Sequence, residues 1–264
     1  MKLRPFGFFH VSLALVLACS GPVAQNDSSQ RARTKVETEA DADREEDSQA
    51  SRRRQLEQAL DRLNGVLTKS PSRLHHERAE ILFRLGRFTE AVRDYDTAAR
   101  FGRPHNEDSC WERGLAQYYA GDFRGGREQF SRYHRVGPTD IENGLWRFLC
   151  VAEEEGIAKA RETTIEYPRK VRKPFPALLA LYLDKGSVDA VLDEARRGTS
   201  SVEELTTNLF YAHYYLGKYY EIEDKKDRAL AHMQEALKHK IPDFMYACAE
   251  ADEKRLEGTE GDPP

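Results

Sequence analysis

The side chains that could do chemistry in this chain are eight histidines, four cysteines and short runs of carboxylates. His75-His76, His213, His232 and His239 are of metal-ligand type, and His232 and His239, seven residues apart, fall on one face of a helix. No cysteine or carboxylate completes a convincing set around them, so they are expected as surface histidines, with no metal and no other cofactor. Glu153-Glu154-Glu155 turns round a helix end instead of facing a second carboxylate across a cleft, which makes it a solvated face. Arg169-Lys170-Val171-Arg172-Lys173 is the dense basic cluster; it falls between Pro168 and Pro174, and is expected as a solvated loop, the alternative being contact with anionic lipid or an acidic partner. A Walker loop, a G-x-S-x-G elbow, an H-E-x-x-H helix and a dinucleotide glycine pattern are all absent. No catalytic residue is expected, and the chain is not expected to be an enzyme.

Composition points the same way. With 264 residues, 39% of them apolar, the chain can build a core but leaves some of its length outside it. A net charge of −4 gives no global pull toward nucleic acid or an anionic surface. At the N-terminus, Lys2 and Arg4 precede an apolar run over 6–18 that is too short for a comfortable membrane span and stops at Cys19. Val16-Leu17-Ala18-Cys19 resembles a bacterial lipobox, which implies a signal peptide over 1–18 and a lipidated Cys19. Ser20 after that cysteine, where the resemblance implies that aspartate would retain the lipoprotein, points to the outer membrane, periplasmic side. Several acyl chains, palmitate among them, would anchor firmly, since one chain alone binds marginally. Cys110, Cys150 and Cys248 have neither zinc nor CxxC spacing and fall in helical patterns, which favours buried free thiols; one disulfide stays open in an oxidising compartment.

The elements that must position any site follow from periodicity. Residues 19–51 are expected as a disordered tether, because 25–50 holds almost no large apolar residue to offset the entropy of ordering. From Arg52 the pattern turns helical: Leu56, Ala59, Leu60, Leu63, Val66 and Leu67 trace one face, as the second helix of a partial repeat. Small and large residues then recur on a 34-residue period, the signature of tetratricopeptide repeats (TPRs). In 72–102, Ala79, Gly86, Ala91, Tyr95 and Ala98 take the small, turn and packing positions; from Glu107, Gly114, Gly121, Gly126, Phe130 and Pro138 take them. Gly126 stands where alanine is usual, at about 1 kcal/mol of helix propensity, and a close helix crossing is the compensating reason. Residues 141–168 keep Phe148 and Ala160 but lack the turn glycine, and 174–198 departs from the period with two short helices. Residues 202–208 lead into the clearest repeat, 210–243, with Leu216-Gly217, Tyr220, Ala229, Ala236 and Pro242. A helix over 244–256 has the polar outer face of a solenoid cap, and 258–264 is a disordered tail. The fold class is therefore all-α, a TPR solenoid of antiparallel helix pairs over 52–257 with a C-terminal capping helix.

Taken in order, the lipobox, the acidic-polar tether, the repeats, the divergent middle with Leu145-Trp146 and the block NLFYAHYYLGKYY…DKKDRALAHMQEALKHKIPDFMYACAEAD resemble the NlpI-type tetratricopeptide-repeat outer-membrane lipoprotein family. That resemblance covers about two-thirds of the chain and is specific in its C-terminal block. It implies a non-enzymatic, homodimer-forming adaptor that brings peptidoglycan hydrolases and a periplasmic protease to the envelope. The longer tether and the wording of the first repeats depart from the family and bear on which partner is bound. The alternative is a structural subunit of an outer-membrane assembly complex.

In TPR proteins the first helix of each pair lines the concave face. Here those positions hold His76 and Arg84, then Trp111, Tyr118 and Tyr119, then Tyr211, Tyr214 and Lys218, and this set is expected to bind a protein partner. Aromatic and arginine anchors dominate interface energies, each worth roughly 2 kcal/mol or more when desolvated. The competing role for the tyrosines is packing between repeats.

Overall fold

The computed structural model describes residues 25–67, 73–101, 106–167 and 172–258. The expected signal peptide, Cys19, Arg169-Lys170-Val171 and residues 259–264 lie outside the described residues. Twelve α-helices and no strand occur among them. The chain divides into two units, Met1–Arg52 and Arg53–Pro264.

The first helix, α1 (Gln25–Leu67), already includes 25–50, which was expected as a disordered tether. That expectation weighed burial alone. The same stretch is rich in Ala, Glu, Arg and Gln, which lose little side-chain freedom in a helix, so propensity carries it without a core. In the second unit, residues 53–67 of α1 bury Leu60, while Val66, expected on the same face, is 49% exposed.

The remaining helices alternate as antiparallel partners: α2 (Arg73–Arg84) with α3 (Phe88–Phe101), α4 (Trp111–Tyr119) with α5 (Phe123–Tyr133), α6 (Ile141–Glu155) with α7 (Ile157–Glu162), α8 (Phe175–Tyr182) with α9 (Val188–Arg196), and α10 (Val202–Ile222) with α11 (Lys226–Leu237). Helix α12 (Phe244–Glu257) packs on α11 and ends the stack. Most contacts join neighbours along the chain, as in a solenoid, except that α8 packs on α6 and α10 as well as on α9. Asp122, Asp140, Ser187, Ser201 and Asp243 each accept a backbone N–H at the start of a helix, satisfying donors that the first turn leaves open.

The repeat positions do in space what their sizes require. Ala79, Ala91, Ala98, Ala229 and Ala236 are buried between paired helices. A Cβ on Gly126 would lie 2.9 Å from Cys150 Sγ and 3.3 Å from Gly114 O, so the close crossing expected there is present between α4, α5 and α6. Three features differ from expectation. The degenerate repeat does have a turn glycine, one residue late: Gly156 (φ 89°) ends α6, leaving only six residues for α7. The lead-in over 202–208 is the first part of α10, continuous for 21 residues. And α12 does more than cap, because Met245, Cys248, Ala249, Asp252 and Leu256 recur at three- and four-residue steps and are all buried. Cys110, Cys150 and Cys248 are buried free thiols, and burial raises Cys110 to about 12, leaving it a small hydrophobe and not a nucleophile.

The turn before α11 places Asp224 at φ 56°, where the earlier repeats use Gly86 and Gly121. A left-handed conformation costs an L-residue roughly 1–2 kcal/mol, partly returned by glycine's larger freedom in the unfolded chain. Asp224→Gly is therefore expected to stabilise the protein by about 0.5 kcal/mol, read as a higher urea midpoint with an unchanged slope.

Candidate binding groove

The first helices α2, α4, α6 and α10 line one side of the stack, but much of that side is covered from within. Phe244, the first residue of α12, lies 4.7 Å from the Phe83 ring of α2 and 5.8 Å from Trp111 of α4, and the Arg84 guanidinium stands 5.4 Å over it. Farther along α12, Asp252 is fully buried. Its Oδ2 accepts from Tyr119 Oη at 2.7 Å and from Tyr214 Oη at 3.3 Å; its Oδ1 accepts from Lys218 Nζ at 3.1 Å and Arg255 Nη2 at 2.8 Å. Lys218, also 0% exposed, gives a second bond to Glu221 at 2.8 Å and lies 4.7 Å over the Tyr118 ring.

This geometry corrects the expected partner-binding set. Tyr119, Tyr214 and Lys218 are occupied by Asp252 of the chain's own last helix, Tyr118 lies under Lys218 with its hydroxyl 3.4 Å from Glu153 of α6, and His76 is buried edge-on to Tyr95 at 5.2 Å. The positional rule assumes an open concave face, and here α12 fills it. Arg84 stays exposed and Trp111 half-buried, whereas Tyr211 is buried as well, 2% exposed.

Trp111 and Tyr211 meet in a cavity of about 220 Å³, together with Phe130, Tyr133, Asp140, Glu142, Asn143, Trp146, Arg172, Asp243 and Met245. Tyr211 Oη donates to Asp243 Oδ2 at 2.8 Å, and Arg172 Cζ lies 4.4 Å from the Tyr211 ring centre. Two of the lining residues each carry a buried polar atom, Trp146 Nε1 and Asn143 Oδ1, with no hydrogen-bond partner among the described residues. Such atoms are rare because each costs about 1–3 kcal/mol unless something binds them. One is a donor and the other an acceptor. Nothing in the spacing of Asn143 or Trp146 marked them for this role.

Electrostatics distinguish the two regions. Burial alone would raise the Asp252 carboxyl, but Lys218 and Arg255 outweigh it and hold it below the usual range. Burial keeps the Tyr119 and Tyr214 phenols well above theirs, so both remain donors. Glu142 goes the other way: burial pushes it up to about 7, against the pull of Arg172 and of the Tyr215 hydroxyl 3.0 Å away.

The histidines are also placed differently from expectation. His213 of α10, and Glu235 and His239 at the end of α11, bring ligand-type atoms within 4.8 Å of one another, and His232 Nδ1 is 3.0 Å from His213 Nδ1. A carboxylate does complete that group.

Antiparallel helix pairs stacked in order, with alanine and glycine at their crossings, define an all-α TPR-type solenoid. Among solved structures, the chain is similar to a tetratricopeptide repeat protein from Parabacteroides merdae, with 15% identity and a TM-score of 0.44 over 78% of this chain and 80% of that one. No protein-family model matches the sequence.

Two consequences are measurable. Asp252→Asn leaves Lys218 buried beside a neutral group and is expected to cost about 3 kcal/mol in chemical denaturation. Adding Lys218→Met should recover part of that loss, because the buried charge goes with it. For Glu142, the folded-state value lies above the unfolded one, so its contribution is fully present below pH ~4.5 and is lost as pH rises through about 7. The stability difference between wild type and Glu142→Gln should therefore change between those pH values and level off above pH 8.

Proposed function

We propose that this chain is a membrane-tethered TPR adaptor that holds a peptide segment of an envelope protein in the cavity between α4, α6 and α10. The observation that carries this reading is a cavity of about 220 Å³ walled by Trp111, Phe130, Tyr133, Trp146 and Tyr211. The half-buried Trp111 and Tyr133 supply flat apolar area with little entropy to lose, and Asp140, Arg172 and Asp243 set polar groups beside it for a peptide backbone. Arg84 and Phe244 extend the surface at the mouth. The acyl anchor follows from Val16-Leu17-Ala18-Cys19, and outer-membrane residence from Ser20. The resemblance to NlpI-type lipoproteins supports peptidoglycan hydrolases and a periplasmic processing protease as the partners to be recruited.

Affinity capture with the soluble form beginning at Ser20 is expected to recover such an envelope partner. Trp111→Ala should weaken that capture by about tenfold or more, an anchor's worth of roughly 1.4 kcal/mol, with helicity unchanged by circular dichroism. Capture that is indifferent to Trp111→Ala and to Tyr211→Phe would remove the cavity from this account, and recovery of integral membrane proteins in fixed stoichiometry would replace the adaptor with an assembly subunit.

A further inference from the structure

The most extensively packed helix pair, α10 with α11, gathers three imidazoles and a carboxylate that the groove does not use. His213 points from α10 toward α11, where His232 and Glu235 are three residues apart; His239 follows four residues later, just past the helix end. The turn is set by the His239 amide, which donates to Ala236 O at 2.9 Å. His213 and His239 stack with ring centres 6.1 Å apart, and His232 is backed by Tyr220 at 5.4 Å.

We propose that His213, Glu235 and His239, with His232 beside them, form a site for a divalent transition ion of the zinc class. Ligand-type atoms of the first three already lie within 4.8 Å of one another, and tetrahedral coordination needs only a small inward rotation of side chains that are half-buried and reachable from solvent. The Nδ1 atoms of His213 and His232, 3.0 Å apart, either share one proton or turn both lone pairs to a common ion. Imidazole with a single carboxylate suits zinc, copper, nickel and cobalt and disfavours calcium or magnesium, which require mostly oxygen.

The protonation states agree with the geometry. Burial lowers His213 to about 4, with His232 and His239 adding to the effect, and burial lowers His232 and His239 as well. All three are thus neutral at pH 7, with lone pairs to give. Glu235 is held ionised by Lys238, whose Nζ is 2.6 Å from Oε2, so an ion competes with one exposed, flexible ammonium group. Arg196 and Arg228 are the other cations facing the cluster and weaken the site without filling it.

The site is absent from any simple motif because His213 comes from the opposite helix, 19 residues before His232. An ion there would staple α10 to α11 and fix the turn from which α12 departs.

The test uses the untagged full chain after chelator treatment. Titration with Zn²⁺ alone is expected to show one site and to raise the melting temperature, and Co²⁺ alone should give the visible absorption of a tetrahedral complex. Glu235→Gln and His239→Ala, both at half-exposed positions, should each lower Zn²⁺ affinity about tenfold or more. His134→Ala, a histidine far from the cluster in sequence, should leave it unchanged. Zn²⁺ uptake that is the same in Glu235→Gln and His239→Ala as in wild type, or no uptake by the wild type, overturns the proposal.

Discussion

The ion pair between Lys218 of α10 and Asp252 of α12 is the constraint on which the rest of the repeat unit depends. Both groups are fully buried, and neither charge is tolerable there alone. Glu221 and Arg255 extend the pair into a four-charge cluster, and Tyr119 and Tyr214 donate to the remaining carboxylate oxygen. With both Asp252 oxygens each accepting two bonds and the Lys218 ammonium donating to two carboxylates, the network favours one register for α12. That register brings Phe244 onto Phe83 and Trp111. A helix that a solenoid needs merely to hide its last apolar face has become part of the opposite wall.

Closing one part of the concave side concentrates recognition in another. With Tyr118, Tyr119, Tyr211 and Tyr214 buried, the aromatic rings left half-buried around the cavity beside α6 are Trp111 and Tyr133, and two of its lining residues, Trp146 and Asn143, each carry a buried polar atom without a partner among the described residues. The contrast is electrostatic too. Where α12 docks, charges are matched and the carboxylate is held ionised; at the cavity, Glu142 is raised toward neutral pH by burial. One region is built to stay closed, and the other retains unfilled hydrogen-bonding capacity.

The helix pairs were legible because the rules that make them are local. Alanine at the crossing positions and Gly86 and Gly121 in the turns act within one 34-residue unit, so a reader of the chain sees both partners at once. Legibility failed where a local rule had two solutions. Gly156 performs the turn one residue late, and residues 202–208 extend α10 because nothing before Asn208 breaks the helix. The polar stretch before Arg52 was read for its missing core, yet its helix-forming residues carry α1 from Gln25.

The candidate sites divide along the same line. Sequence alone determined that the chain forms stacked helix pairs, and which aromatic and basic residues lie on their first helices, because spacing of three, four and 34 residues is written in the chain itself. Only the tertiary structure decided which of those residues are free. Tyr119 and Asp252 are 133 residues apart, and no periodicity links them; the same holds for Glu235 and His213, whose meeting depends on how α10 lies against α11. A residue's face follows from its position in the helix, but what covers that face depends on the burial and charge of segments that arrive from elsewhere in the chain.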